Sequence, residues 1–140
     1  MLRKMIIIIT LAFFFCTLAA PPFTVGYITR PEVINPYEAI IKAITDVESS
    51  GNSLAYNPKE NAVGAFQIRQ IRIDEYNRLT GDNFALVEMY DYSKAIKVFM
   101  YYTSQFEPWQ HREIARDWNK SVTNKYWNKV RAELLNIVTK

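Results

Sequence analysis

The chain has 140 residues, 49% of them hydrophobic and 22% charged, with a formal net charge of +3. That balance suits one compact globular domain and excludes a disordered or fibrous chain. A single cysteine, Cys16, excludes a disulfide framework within the chain.

The N-terminus differs in kind from the rest. Arg3 and Lys4 precede the apolar run from Ile6 to Leu18, and Ala19-Ala20 follow. A charged start, short apolar middle and small-residue end are the parts of a secretory signal. The run is shorter than the roughly 20 residues a membrane-spanning helix needs. The expectation is therefore a signal peptide over 1–19, cut after Ala19 because Pro21 hinders cutting after Ala20; anchoring by this segment stays open. Phe13 to Phe15 stand before Cys16 where a lipid-attachment signal wants small residues. The protein is expected to be exported, periplasmic or extracellular. Loss of Arg3 and Lys4 would leave a net charge of +1, without the basic stripe a nucleic-acid partner needs. The remaining chain of about 120 residues then has no cysteine, and a domain of that size holds without disulfides.

Residues 20–35 read as an extended lead-in, since Pro21, Pro22, Pro31 and Pro36 fall in or beside a stretch without periodicity. The domain proper is expected over 36–140. Asn35-Pro36-Tyr37-Glu38 supplies an N-cap residue, a proline in the first helical position and a glutamate three after the cap. Ile40, Ile41, Ile44 and Val47 then recur at helical spacing, and Gly51 and Asn52 break the helix after Glu48 or Ser49. From Leu54 to Asn61 the chain reads as a polar, turn-rich loop. A helix follows from Ile71 to Leu79, stopped by Gly81. Asp91 caps another that runs to about Phe106 before Pro108, and two more are expected over Trp109–Asn119 and Asn124–Val138, the last capped by Thr123. The fold is predicted to be mainly α: a single domain with helices packed around the glutamate-bearing one. There is no internal repeat, coiled coil or low-complexity segment.

Glu48 lies at the edge of the apolar stripe in the last turn of its helix. Burial penalises the charged form there, and the helix dipole disfavours a negative charge. Both effects raise the pKa of a carboxyl group, which is what a proton donor at neutral pH requires. The bland alternative is a solvated glutamate. "ESSGN" is followed after about a dozen loop residues by "GAFQI", and later by "IARDWNKS".

These stretches resemble the soluble lytic transglycosylase family, of lysozyme-like fold, which cleaves the glycan strands of bacterial peptidoglycan. Glu48, Ser49 and Asn52 match its first motif, a catalytic Glu followed by Ser, with an Asn a few residues on. Gly64, Ala65, Phe66 and Gln67 match its second, and Ala115, Trp118 and Asn119 its third. The third motif commonly continues into small or glycine residues, whereas Lys120 and Ser121 follow here. Ala55-Tyr56-Asn57 looks like the family's Ala-Tyr-Asn but lies between the first two motifs and is read as loop chemistry.

What the resemblance implies is a single-acid cleavage of the bond between N-acetylmuramic acid (MurNAc) and N-acetylglucosamine (GlcNAc). Glu48 gives a proton to the leaving oxygen and then takes one from the C6 hydroxyl, leaving a 1,6-anhydro-MurNAc end. Asp46, two residues earlier, is about 200° round the helix and cannot face the same bond. Glu60 and Asp74 are read as surface charges first and reserve acids second. Ser49 is expected to bond the Glu48 carboxyl or cap the helix. Gln67 is expected to bond either an N-acetyl group or the backbone. Gly64 would allow close approach of chain to chain or chain to sugar, Asn52 would meet the substrate, Asn119 would hold a substrate hydroxyl or cap its helix, and Trp118 is the aromatic residue assigned to the cleft. Most of Tyr90, Tyr92, Tyr101, Tyr102, Trp109, Tyr126 and Trp127 are read as core. His111, the only histidine, has no Cys or acidic cluster at ligand spacing, so no metal and no cofactor is expected. The expected partner is the peptidoglycan glycan strand, met by a monomer, with secretion or envelope machinery as a further possibility. The alternatives are a lysozyme-type muramidase using water, and a non-catalytic glycan-binding component of a wall-crossing machine.

Overall fold

A computed structural model describes residues 35–120 and 124–139. The expected signal segment, the lead-in as far as residue 34 and the Thr123 cap lie outside these residues. The described residues belong to one compact unit, Ile34–Lys140, and form a mainly α single domain of five helices. Among them no helix is long and apolar enough to cross a membrane.

The first helix, α1 (Glu38–Ser49), begins two residues later than Asn35-Pro36 suggested. Asn35 still acts as the starting residue: its Oδ1 accepts from Tyr37 N at 3.0 Å and its carbonyl from Glu38 N at 3.0 Å. Pro36 and Tyr37 are spent in that turn, so helical hydrogen bonding starts with Ile41 N to Tyr37 O at 2.9 Å. Ile40, Ala43 and Ile44 are completely buried, as the apolar spacing requires. The helix ends where expected, with Ser50 and Gly51 at φ of 56° and 76°. Ser50 N and Gly51 N then donate to Asp46 O and Thr45 O.

The loop expected after α1 contains a three-stranded antiparallel sheet, β1 (Tyr56–Asn57), β2 (Ala62–Val63) and β3 (Ile68–Arg69), in that spatial order. Tyr56 pairs with Val63, and Val63 with Ile68. Strands of two residues carry no period-two pattern, which is why the residues read as loop. Gly64, at φ 79°, turns the chain between β2 and β3.

Next come α2 (Gln70–Thr80), stopped by Gly81, and a 3-10 helix over Leu86–Tyr90 for which the sequence carried no signal. Asp91 caps α3 (Tyr92–Thr103), its Oδ1 accepting from Ser93 N at 2.8 Å. The helix ends three residues short of Phe106. Phe106 N donates to Thr103 O instead, and Phe106 O accepts from the Tyr37 hydroxyl at 2.8 Å. α4 (His111–Asn119) starts two residues after Trp109, which stands 73% exposed in the preceding turn. α5 (Asn124–Val138) has the predicted bounds. It packs along α1 and against α4. The largely aliphatic core contains an aromatic stack in which the Phe66 and Phe99 ring centres lie 4.6 Å apart and Phe99 meets Trp118 edge-on at 4.8 Å.

Candidate active site

Glu48 is partly buried in the last turn of α1. Packing of α5 along α1 brings Tyr126 to it across 78 residues of sequence, and the Tyr126 hydroxyl donates to Glu48 Oε1 at 2.6 Å. Burial pushes the Glu48 carboxyl above the usual carboxylate range. The Tyr126 hydrogen bond, and the charges of Arg69 and Lys129, oppose that shift, while the Glu60 carboxylate adds to it. Tyr126 itself is pushed upward by burial and by the facing carboxylate, so its hydroxyl stays protonated and remains a donor. With Oε1 engaged, Oε2 is the oxygen left to carry a proton.

Glu48 opens onto a cleft of about 340 Å³. Gln67, Trp118 and Asn119 line the same cleft, so the three sequence stretches that carried the resemblance converge on one place. Glu60 and Glu75 line it as well. Glu60 is exposed, 3.8 Å from Arg69, and Glu75 accepts from the Tyr102 hydroxyl at 3.1 Å. Asp46 pairs with Lys42 at 2.9 Å and does not line the cleft. Asp74, the other reserve acid, accepts from Gln70 Nε2 at 2.8 Å and is likewise absent from the lining.

Several residues expected at the substrate make structural contacts within the domain. Ser49 does not bond the Glu48 carboxyl: its hydroxyl donates to Ala65 O at 2.9 Å and Thr45 O at 3.2 Å, tying the helix end to the Gly64–Gln67 turn. Asn52 is exposed outside the cleft, and its Oδ1 accepts from Leu54 N at 2.9 Å in a local turn of the kind Asn favours. Gly64 is buried and does not line the cleft. A Cβ there would lie 2.1 Å from Met89 O, so the close approach is chain to chain. Gln67, at φ 50°, gives Nε2 to Gly64 O at 3.0 Å, which is the backbone role, although the residue also lines the cleft. Trp118 is 7% exposed and its Nε1 donates to Phe66 O at 3.3 Å, so it forms an edge of the cleft and not an open stacking platform. Asn119 is exposed and ends α4 at the cleft, followed by Lys120 in the left-handed conformation at φ 53°.

Sequence reasoning did not name Arg69, Arg72 or Glu75, which line the cleft, and it missed Tyr126 and Asn57 as well. Tyr126 was grouped with the core aromatics because only the α1–α5 contact singles it out. Asn57 was set aside as loop chemistry, yet it lines the cleft, with Oδ1 accepting from Lys59 N at 3.1 Å. The Ala-Tyr-Asn likeness was the signal available for it.

Among the described residues, no three His, Cys, Asp or Glu side chains converge as metal ligands would. Compared with protein-family models, curated proteins and solved structures, the chain matches none.

Proposed function

We propose that this protein is an exported peptidoglycan lytic transglycosylase, with Glu48 as both acid and base. The observation that carries the reading is a carboxyl at a cleft whose pKa is raised by burial, with one oxygen engaged by a partly buried tyrosine. A neutral Glu48 gives its proton to the glycosidic oxygen as the bond from C1 of MurNAc to O4 of GlcNAc breaks. The substrate's N-acetyl carbonyl steadies the electron-poor C1. The carboxylate formed midway is stabilised by the Tyr126 hydroxyl, a charge-assisted hydrogen bond stronger than that to the neutral acid. Glu48 then removes the C6 hydroxyl proton as O6 closes on C1, which restores the neutral acid without consuming water. Asn119 and Gln67 are the side chains proposed to hold the sugars.

A second reading, a muramidase that uses water, is favoured by Glu60 and Glu75, additional carboxylates lining the same cleft. Digestion of purified peptidoglycan followed by mass spectrometry separates the two. Anhydro-MurNAc ends are expected; reducing ends alone would replace the first reading by the second, and intact glycan would leave a binding role.

A further inference from the structure

One side chain joins α2 to the end of α4. Arg72, in the first turn of α2, has a side chain only 11% exposed. Its guanidinium lies 4.3 Å from the Tyr102 ring centre and 4.7 Å from that of Trp118. Nη2 donates to Trp118 O at 2.8 Å and to Asp117 O at 3.3 Å. These carbonyls belong to the last turn of α4, where a helix leaves acceptors without intrahelical donors. Lys120 N turns back to Arg116 O at 2.9 Å, so Arg72 serves the two that follow. Nη1 is buried without a hydrogen-bond partner, 3.9 Å from Asp117 Oδ2. The Tyr102 hydroxyl grips the Arg72 carbonyl at 3.1 Å.

We propose that Arg72 is a positioning residue for glycan binding: a cap supplied from another helix that fixes the end of α4 and so sets where Asn119 stands in the cleft. A buried Nη1 without a hydrogen bond is costly and is tolerated because the planar guanidinium can bond two carbonyls while lying against two rings. Lysine, a compact point charge, cannot do both. The identity of the sugar held by Asn119 rests on the proposed function; the fixing of α4 does not.

The test is Arg72→Lys in the full chain, read three ways. Amide hydrogen exchange at Asn119 and Lys120 in the ligand-free protein should quicken about tenfold relative to α1 amides, because the loosening is local. With glycan strands from peptidoglycan as the probe, KM should rise about tenfold while kcat stays within about twofold and its pH profile is unmoved, since misplacement of a binding group is costly while Glu48 and Tyr126 are untouched. Adding Asn119→Ala to Arg72→Lys should cost no further affinity, because both changes remove one contact. Unchanged exchange and KM would overturn the proposal, as would exchange that rises equally throughout the domain or fully additive losses. If the parent protein fails to cleave glycan, the proposed function falls and the exchange measurement alone decides the role of Arg72. Should Arg72→Lys not fold, Arg72→Met is read in the same way, and failure of both to fold would make the role purely structural.

Discussion

Replacing Gly64 by alanine should cost far more than replacing Gly81, although the two glycines share almost the same backbone conformation, φ 79° and 80°. A side chain in the left-handed region costs about 1–2 kcal/mol, and both variants bear that strain. At Gly81 the added Cβ meets nothing within 4 Å, so the strain is the whole effect. At Gly64 it would lie 2.1 Å from Met89 O and 3.1 Å from Met89 C. Both atoms are backbone, so no rotamer change relieves the overlap and the 3-10 helix must shift. Overpacking of that kind adds about 1–3 kcal/mol, and this overlap belongs at the upper end. Gly64→Ala should therefore lose about 4–5 kcal/mol, a large share of the 5–15 kcal/mol typical of a domain. Each kcal/mol lowers the melting temperature by about 4–8 °C at this size. Thermal unfolding followed by circular dichroism should show a fall of about 4–16 °C for Gly81→Ala and of about 16–40 °C for Gly64→Ala, the second at least about twice the first. Equal losses would refute the chain-to-chain role assigned to Gly64.

Three further outcomes are expected. The folded-state pKa of Glu48 stands above its ordinary value of 4.5, so the parent loses stability as pH rises from 4.5 through that raised value. Glu48→Gln removes the penalty, and should melt higher than the parent at pH 7 but equal to it below pH 4.5; paired thermal melts at the two pH values check this. Tyr126→Phe deletes the donor that favours the ionised Glu48, so the alkaline limb of the pH–rate profile should move upward while the maximal rate falls about tenfold, the loss of a hydrogen bond to a charged group. A chain of residues 37–140 alone should give a helical circular dichroism spectrum, because the buried core runs from Ile40 to Leu134; a random-coil spectrum would contradict it.

The helices were legible where one side chain or one stripe decides the outcome. Asp91 caps α3, Gly81 stops α2, and the isoleucine stripe places α1. Glu48 was legible too, since its position beside that stripe implies burial, which is the leading cause of its raised pKa. What escaped depends on tertiary contacts. The end of α3 is set by a hydroxyl from Tyr37, 69 residues away, and Tyr126 reaches Glu48 only through the α1–α5 packing. Trp118 was assigned to the cleft by its motif and lines its edge, but its packing among Phe66, Phe99 and Arg72 was not legible because it depends on residues far away in sequence. The three short strands pair through backbone bonds that residue types do not encode.

In the proposed mechanism Glu48 moves the proton. Glu48→Gln keeps the size of the side chain and an oxygen able to accept from Tyr126, but it cannot donate the acid proton. Digestion of peptidoglycan by the folded variant, quantified by mass spectrometry of anhydro-MurNAc ends, should slow by about a hundredfold or more, as removal of a general acid does. Cleavage by folded Glu48→Gln at the parent rate would contradict the claim and move the search to Glu60, the exposed carboxylate of the same cleft.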